Sequence, residues 1–290
     1  MSKPPVAVLG LGLMGSGMAH RLLLNQFPLK VYNRNAEKTK PLTAQGAQAA
    51  GSPREAAIGA SVVLSMVADD QASRSLWQGP DGALAGVAPG TICIESSTVT
   101  VRWVQELAAA AADRRCAFLD APVTGSKSHA AGGELSFLVG GAAETLEKAR
   151  PVLAAMGKSI THLGPAGSGA LLKLINNFLC GVQVASLAEA MAMIERSGLD
   201  RATALGVLTN GAPGSPLFKT VAGRMATPDF TPNFLLRLMA KDLAYAIEEG
   251  AQRSVTLTTA AAALGEFKKA IQAGHGDQDI AAVVEPFRNH

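Results

Sequence analysis

An apolar run, Val6 to Leu9, passes directly into GLGLMG, in which Gly10, Gly12 and Gly15 are spaced G-x-G-x-x-G. No other feature of the chain narrows its fold so much. The run has the length of a buried parallel strand, and Ser16 to Leu24 behind the glycines reads as a helix. A strand that turns through glycines into a helix presents bare backbone N–H groups and the positive end of the helix dipole, which suit a pyrophosphate. The first glycine allows the tight turn, the second lets a phosphate approach, and the third lets helix and strand pack closely. Gly10, Leu11, Gly12, Leu13, Met14 and Gly15 are therefore expected to line a dinucleotide.

The next strand reads as Leu29 to Tyr32, and its end lies about twenty residues after the glycines, where an NAD-specific fold usually carries an acidic residue for the ribose 2′-hydroxyl. Here Asn33 and Arg34 stand in that place, with Lys38 further on. A guanidinium grips a 2′-phosphate with its planar donor fork, so the expectation is NADP(H), with NAD possible. The alternative is a solvated loop arginine.

Onward from there, strand-like and helix-like segments alternate. Val62–Met66, Thr91–Glu95, Ala117–Asp120 and Leu135–Val139 read as strands, Ala47–Ala50 as a short one. Lys38–Gln45, Pro53–Ile58 and Val101–Ala112 read as helices. This is the pattern of an α/β Rossmann domain with a doubly wound, mostly parallel sheet, over residues 1–164. Beyond Gly164 strand alternation ends. Gly167 to Ser197 contains no proline and is apolar on nearly all faces, which predicts one long buried helix. Five more helical segments follow: Arg201–Leu208, Leu217–Met225, Phe234–Glu249, Val255–Ala273 and Asp279–Phe287. Residues 165–290 are expected to be an all-α domain for substrate binding and oligomerisation, joined to the first by the long helix.

The chain has 290 residues and a formal net charge of +3. It has no basic tract interleaved with aromatics, so nucleic acid is not an expected partner. Its apolar stretches are interrupted too often for a membrane span, and the glycine spacing explains the apolar N-terminus better than a signal peptide does. Cys93, Cys116 and Cys180 form no C-x-x-C and no disulfide framework, which suits a reducing, cytoplasmic setting. The five histidines show no metal-ligand spacing, so no metal is expected.

Lys173 lies in the apolar helix, within GALLKLINNFL, and Asn177 follows four residues later on the same face. Burial makes a lysine costly unless it is paired or used, and a lysine can donate a proton to a carbonyl oxygen. Periodicity leaves open a lysine that snorkels to the surface. Thr124, Gly125 and Ser126 turn away from the strand end Asp120–Val123, and small residues in a turn can offer N–H and hydroxyl donors to a carboxylate; an ordinary turn has the same composition. Glu95–Thr98, ESST, can meet a cofactor ribose or cap the following helix. Lys241 and Asp242 read as a charged pair on a solvated helix face.

Taken together, GLGLMGSGMA, ESST, DAPVTGS, GSGALLKLINN and KDL, in that order over essentially the whole chain, resemble the β-hydroxyacid dehydrogenase family. The resemblance implies Lys173 as catalytic acid/base with Asn177 assisting. It implies Thr124, Gly125 and Ser126 at the substrate carboxylate, Val67, Ala68 and Thr98 near the cofactor, and Lys241 beside its nicotinamide end. It also implies a homodimer or homotetramer. TGSK in place of the commoner S-G-G form, together with Asn33-Arg34, is more similar to glyoxylate/succinic semialdehyde reductases. The expected activity is NADP(H)-dependent interconversion of a small anionic, carboxylate-bearing aldehyde and its hydroxyacid. The alternatives are an NAD-dependent 3-hydroxyisobutyrate-type dehydrogenase and a non-catalytic cofactor-binding scaffold. Imine reductases share the fold but usually lack the lysine.

Overall fold

The computed structural model describes Lys3 to Arg288. Two compact units divide it, one up to Lys173 and one from Leu174 onward. The first carries strands β1 (Val6–Leu9), β2 (Leu29–Tyr32), β3 (Gln48–Ala49), β4 (Val62–Ser65), β5 (Ile92–Glu95), β6 (Ala117–Asp120), β7 (Val123–Thr124), β8 (Leu135–Gly141) and β9 (Gly157–Gly164). Its helices are α1 (Leu13–Leu24), α2 (Lys40–Thr43), α3 (Pro53–Ala57), α4 (Asp70–Trp77), α5 (Val101–Asp113), α6 (Lys127–Gly132) and α7 (Ala143–Ala154). Helix α8 (Ser168–Ser197) starts in this unit and runs on into the second.

The strands are ordered β3-β2-β1-β4-β5-β6-β8-β7, with β9 beside β8. From β3 to β6 every pairing is parallel; β8 then runs antiparallel to β6, and β7 antiparallel to β8. Strands β1, β4 and β5 are buried along their whole length, as a parallel sheet covered on both faces requires. Sheet residues Val8, Val31, Leu64, Ile94 and Phe137 share one core with Met18 and Leu22 of α1 and Leu146 and Val152 of α7. The order reverses between β1 and β4, so the segments leaving those two strands flank the crevice where such sheets bind ligands.

Five elements escaped the sequence reading, among them the two-residue strand β7, which covers part of an expected turn. Strand β9 is polar and largely exposed, so it lacks the apolar alternation of a half-buried strand. Helix α7 contains Pro151, and α4 and α6 are too short for a clear period. The helix expected over Lys38–Gln45 is instead a 3₁₀ turn, Ala36–Thr39, followed by α2. Pro41 near the start of α2 has no N–H to continue a preceding α-turn.

The second unit is helical, as read: the rest of α8, then α9 (Arg201–Asn210), α10 (Pro216–Ala226), α11 (Leu236–Gln252), α12 (Thr258–Ala270) and α13 (Glu285–Arg288). Val184, Leu187 and Met191 of α8 pack with Val221 and Met225 of α10, Met239 and Leu243 of α11 and Phe267 of α12. Each such side chain contributes about 1.5–3 kcal/mol by leaving water. One expectation fails here. Helix α8 is not buried all round: Leu172, Ile175, Leu179 and Met193 are 36%, 43%, 59% and 73% exposed.

Candidate active site

The glycine-rich turn is built for an anion. Gly10 adopts φ +97°, and a Cβ there would overlap the Met66 carbonyl, so the turn closes against the end of β4. A Cβ on Gly15 would overlap the Gly10 carbonyl, which lets α1 start hard against β1. Gly12 is different: its missing Cβ faces open space, and as N-cap it supplies no side chain to the first N–H groups of α1. No acidic residue lies in that first turn. The donors are oriented and unscreened, which fits a pyrophosphate.

Asn33, read as a cofactor ligand, has a structural task at this turn. Its Oδ1 accepts the Leu11 N–H at 2.9 Å, and its Nδ2 donates to the Asn35 carbonyl at 2.9 Å. It thereby ties the end of β2 to the glycine turn. Arg34 and Lys38 are exposed, and among the described residues neither pairs with a carboxylate. The nearby Glu37 pairs with Lys40 instead, at 2.6 Å.

Below the loops after β4 and β5 lies a buried polar cluster that sequence reasoning missed. Glu95 is fully buried and accepts from Ser73 Oγ, from Trp77 Nε1 at 3.1 Å and from the Ser97 N–H at 2.8 Å. Ser97 Oγ in turn accepts the Val67 N–H at 2.8 Å. Val67, Ala68 and Thr98 are all part-exposed on the two loops so joined. The capping alternative for ESST fails: the residue that caps α5 is Thr100, which accepts the Trp103 N–H at 3.1 Å. A glutamate ending a wholly apolar strand was the available signal, because it must be buried with partners.

Thr124 closes strand β7, where a turn was expected, and Gly125 at φ +127° and Ser126 make the turn into α6. The donors of Ser126 are not bare, however. Its N–H donates to His129 Nδ1 at 3.1 Å, and its Oγ lies 2.8 Å from both His129 Nδ1 and Ser128 Oγ. A histidine three residues into the helix occupies the N–H that spacing alone left open.

In the first unit, Lys173 is half-buried on α8. In the second, Asn177 is 3% exposed, and its Nδ2 donates to Asp242 Oδ2 at 2.5 Å. Asn177 Oδ1 accepts from Asn176 Nδ2 at 2.9 Å, so both ends of the amide are held. Asp242 is 1% exposed, with Oδ1 2.9 Å from Lys241 Nζ, which also lies 4.9 Å from the centre of the Tyr245 ring. The solvated face expected for Lys241 and Asp242 is therefore wrong. Asp242 falls at i+3 from Met239 and i−4 from Ala246, on the apolar face of α11, and that spacing was the overlooked signal. No cluster of potential metal ligands occurs among the described residues.

Comparison with known proteins now bears on this geometry. Residues 5–164 match the family described as the NAD binding domain of 6-phosphogluconate dehydrogenase. Residues 167–287 match that described as the NAD-binding of NADP-dependent 3-hydroxyisobutyrate dehydrogenase. The chain belongs to the 3-hydroxyisobutyrate dehydrogenase-like β-hydroxyacid dehydrogenases. It is 38% identical to an NAD-dependent L-serine dehydrogenase of Pseudomonas aeruginosa, over 97% of each chain. It is 34% identical to glyoxylate/succinic semialdehyde reductase 1 of Arabidopsis thaliana, again over 97% of each. A solved structure of Mycobacterium tuberculosis 3-hydroxyisobutyrate dehydrogenase with L-serine superposes with a TM-score of 0.89 at 32% identity, covering 99% of each chain. As a β-hydroxyacid dehydrogenase the protein is an NAD(P)-dependent oxidoreductase that interconverts hydroxyacids and aldehydes.

Proposed function

We propose that this β-hydroxyacid dehydrogenase is an NADP(H)-dependent reductase of a small carboxylate-bearing aldehyde, glyoxylate or a semialdehyde. The observation that carries the chemistry is the spacing on α8 of a half-buried Lys173 and, four residues on, a buried Asn177 whose amide is held by Asp242. A nicotinamide cofactor bound there would supply the hydride. As the carbonyl carbon accepts it, negative charge grows on the oxygen; the Lys173 ammonium stabilises that charge, passes a proton to the oxygen and is reprotonated from solvent. Asn177 contributes a fixed amide dipole. Thr124 and Gly125, with the Ser126 hydroxyl, receive the substrate carboxylate, and Lys241 is assigned to the nicotinamide end. Gly10 to Gly15, Val67, Ala68 and Thr98 hold the rest of the cofactor.

The preference for NADP(H) rests on Arg34 and Lys38, exposed at the end of β2 with no carboxylate partner. A second reading, oxidation of a β-hydroxyacid with NAD, is favoured by the NAD-dependent L-serine dehydrogenase among the relatives. The test is an NADPH-oxidation screen over glyoxylate, succinic, tartronate and methylmalonate semialdehydes, with NAD reduction by L-serine and 3-hydroxyisobutyrate in parallel. A higher kcat/KM with NADPH on an aldehyde supports the first reading; a higher one with NAD on a hydroxyacid supports the second.

We further propose a homodimer or homotetramer in the cytoplasm. Leu172, Ile175 and Leu179 fall at i, i+3 and i+7 on one exposed stripe of α8, a pattern that a second helix covers. Helix α8 is long and apolar enough to cross a membrane by length and composition. Its other face belongs to the helical core, which explains that apolarity without a bilayer. Cys93 and Cys116 are buried thiols outside any disulfide, as suits a reducing compartment.

A further inference from the structure

Asp120, the last residue of β6, is fully buried. Its Oδ1 accepts the Gly167 N–H and its Oδ2 the Ala170 N–H, both at 2.8 Å. Both donors belong to the entry and first turn of α8, where no intrahelical acceptor exists. Glycines make room for the carboxylate on two sides. A Cβ on Gly140 would collide with Asp120 Oδ1, and one on Gly169 would lie 2.9 Å from Oδ2 while overlapping the Leu138 carbonyl. The Gly169 face of α8 is thus pressed onto the ends of β6 and β8. Lys173 is four residues beyond Gly169, one turn along that same face. The loop bearing Thr124 to Ser126 leaves from β6 immediately after Asp120.

We infer that Asp120 is a positioning residue for the reaction: it fixes the height and rotation of the first turn of α8, and through them the place of the Lys173 ammonium above the strand end that launches the substrate loop. This rests on the reading of Lys173 as proton donor. A side chain meant only to start a helix is ordinarily a surface Ser, Thr, Asp or Asn at the N-cap. Here the carboxylate comes from the sheet, across 50 residues of sequence, and is held away from water where an ionised group is costly. Burial pushes the Asp120 carboxyl above the usual carboxylate range, and the N–H groups that point at it oppose that rise. Such a group sets geometry more sharply than it adds stability.

The test is a double-mutant cycle with Asp120→Asn and Lys173→Ala in the full-length enzyme, kcat being expressed per NADPH-binding site titrated by fluorescence. Asparagine keeps one acceptor and turns an N–H₂ toward a backbone N–H, so the first turn must shift. A misplacement of ~1 Å can cost on the order of a hundredfold in rate, and a loss of about tenfold or more in kcat is expected for Asp120→Asn. NADPH affinity should hold. In the Lys173→Ala background the same change should alter the residual kcat by no more than about twofold, since the group being positioned is gone. Unchanged kcat per site in Asp120→Asn, or an equal loss in both backgrounds, would overturn the inference. Near-normal kcat in Lys173→Ala alone would instead remove the reading beneath it. If Asp120→Asn does not fold, Asp120→Ser, which retains one small acceptor, carries the same cycle.

Discussion

Arg34 and Lys173 are the two cations on which the proposed chemistry turns, one assigned to the 2′-phosphate and the other to the reacting carbonyl. Arg34 stands just past the end of β2 with no carboxylate paired to it among the described residues. Arg34→Asp replaces a charge-assisted donor by a repelling group, so NADPH should bind more weakly and NADH should be used relatively better. The ratio of kcat/KM for the two cofactors reads this directly; an unchanged ratio means that the 2′-phosphate is held elsewhere. Lys173→Ala should lower kcat by on the order of a hundredfold or more, the range for a positioned general acid, with little change in NADPH affinity. Near-normal turnover on the best substrate would assign the proton to water or to another side chain. Lys173 drew notice in the sequence as a charge in an apolar helix; periodicity left a snorkelling side chain equally open, and the family resemblance favoured the catalytic reading. The burial of Asp242 had a signal in its spacing on α11, but its partner Asn177, 65 residues away, did not.

Between the elements, buried carboxylates do what local capping does elsewhere. Glu95 joins β5, α4 and the two loops that carry Val67 and Thr98. Glu95→Leu orphans the Ser73 hydroxyl and the Ser97 N–H, while Trp77 Nε1 keeps Ser65 Oγ at 2.9 Å, and at about 1–3 kcal/mol each the loss should reach ~2 kcal/mol or more. Urea unfolding measures it, and a rise in KM for the cofactor should accompany it as the Ser97 hydroxyl loses its place. Asp120 carries a pH signature. Its carboxyl titrates above the usual range because burial penalises the charged form. A folded-state pKa raised above the unfolded value of about 3.9 means that the folded protein holds the proton more tightly. The contribution to stability is then fully present below that value and is lost as pH rises through the folded pKa. Asp120→Asn cannot titrate, so its Tm relative to the parent should improve on going from pH 4 to pH 7. A difference that stays constant or moves the other way contradicts the assignment.

As an assembly, the protein leaves one apolar stripe of α8 in water: Leu172, Ile175 and Leu179, with Met193 further along. Sedimentation at micromolar concentration should therefore report at least a dimer. Leu179→Glu, at the most exposed of the first three positions, should shift the population toward monomer while the helical content seen by circular dichroism persists. A wild-type monomer would show that the stripe is simply solvated.

Much of the architecture is encoded locally and could be read before any packing was known. A four-residue apolar run, a glycine turn and a helix make their own case, since strand and helix periods and the backbone freedom of glycine act over a few residues. The alternation of strand and helix in the first half, the helical second half and the placement of Lys173 and Asn177 four residues apart on one helix follow from the same short-range rules, whereas the order of the strands does not. Packing decided the rest. That Ser126 is held by His129, that Thr100 rather than ESST caps α5, and that Asp120, Glu95 and Asp242 are buried follow from which elements meet. Sequence context can hint that a carboxylate is enclosed, as at the end of β5, but it does not name the partners that hold it. Those partners are the donors brought to it from distant segments, and only the folded chain supplies them.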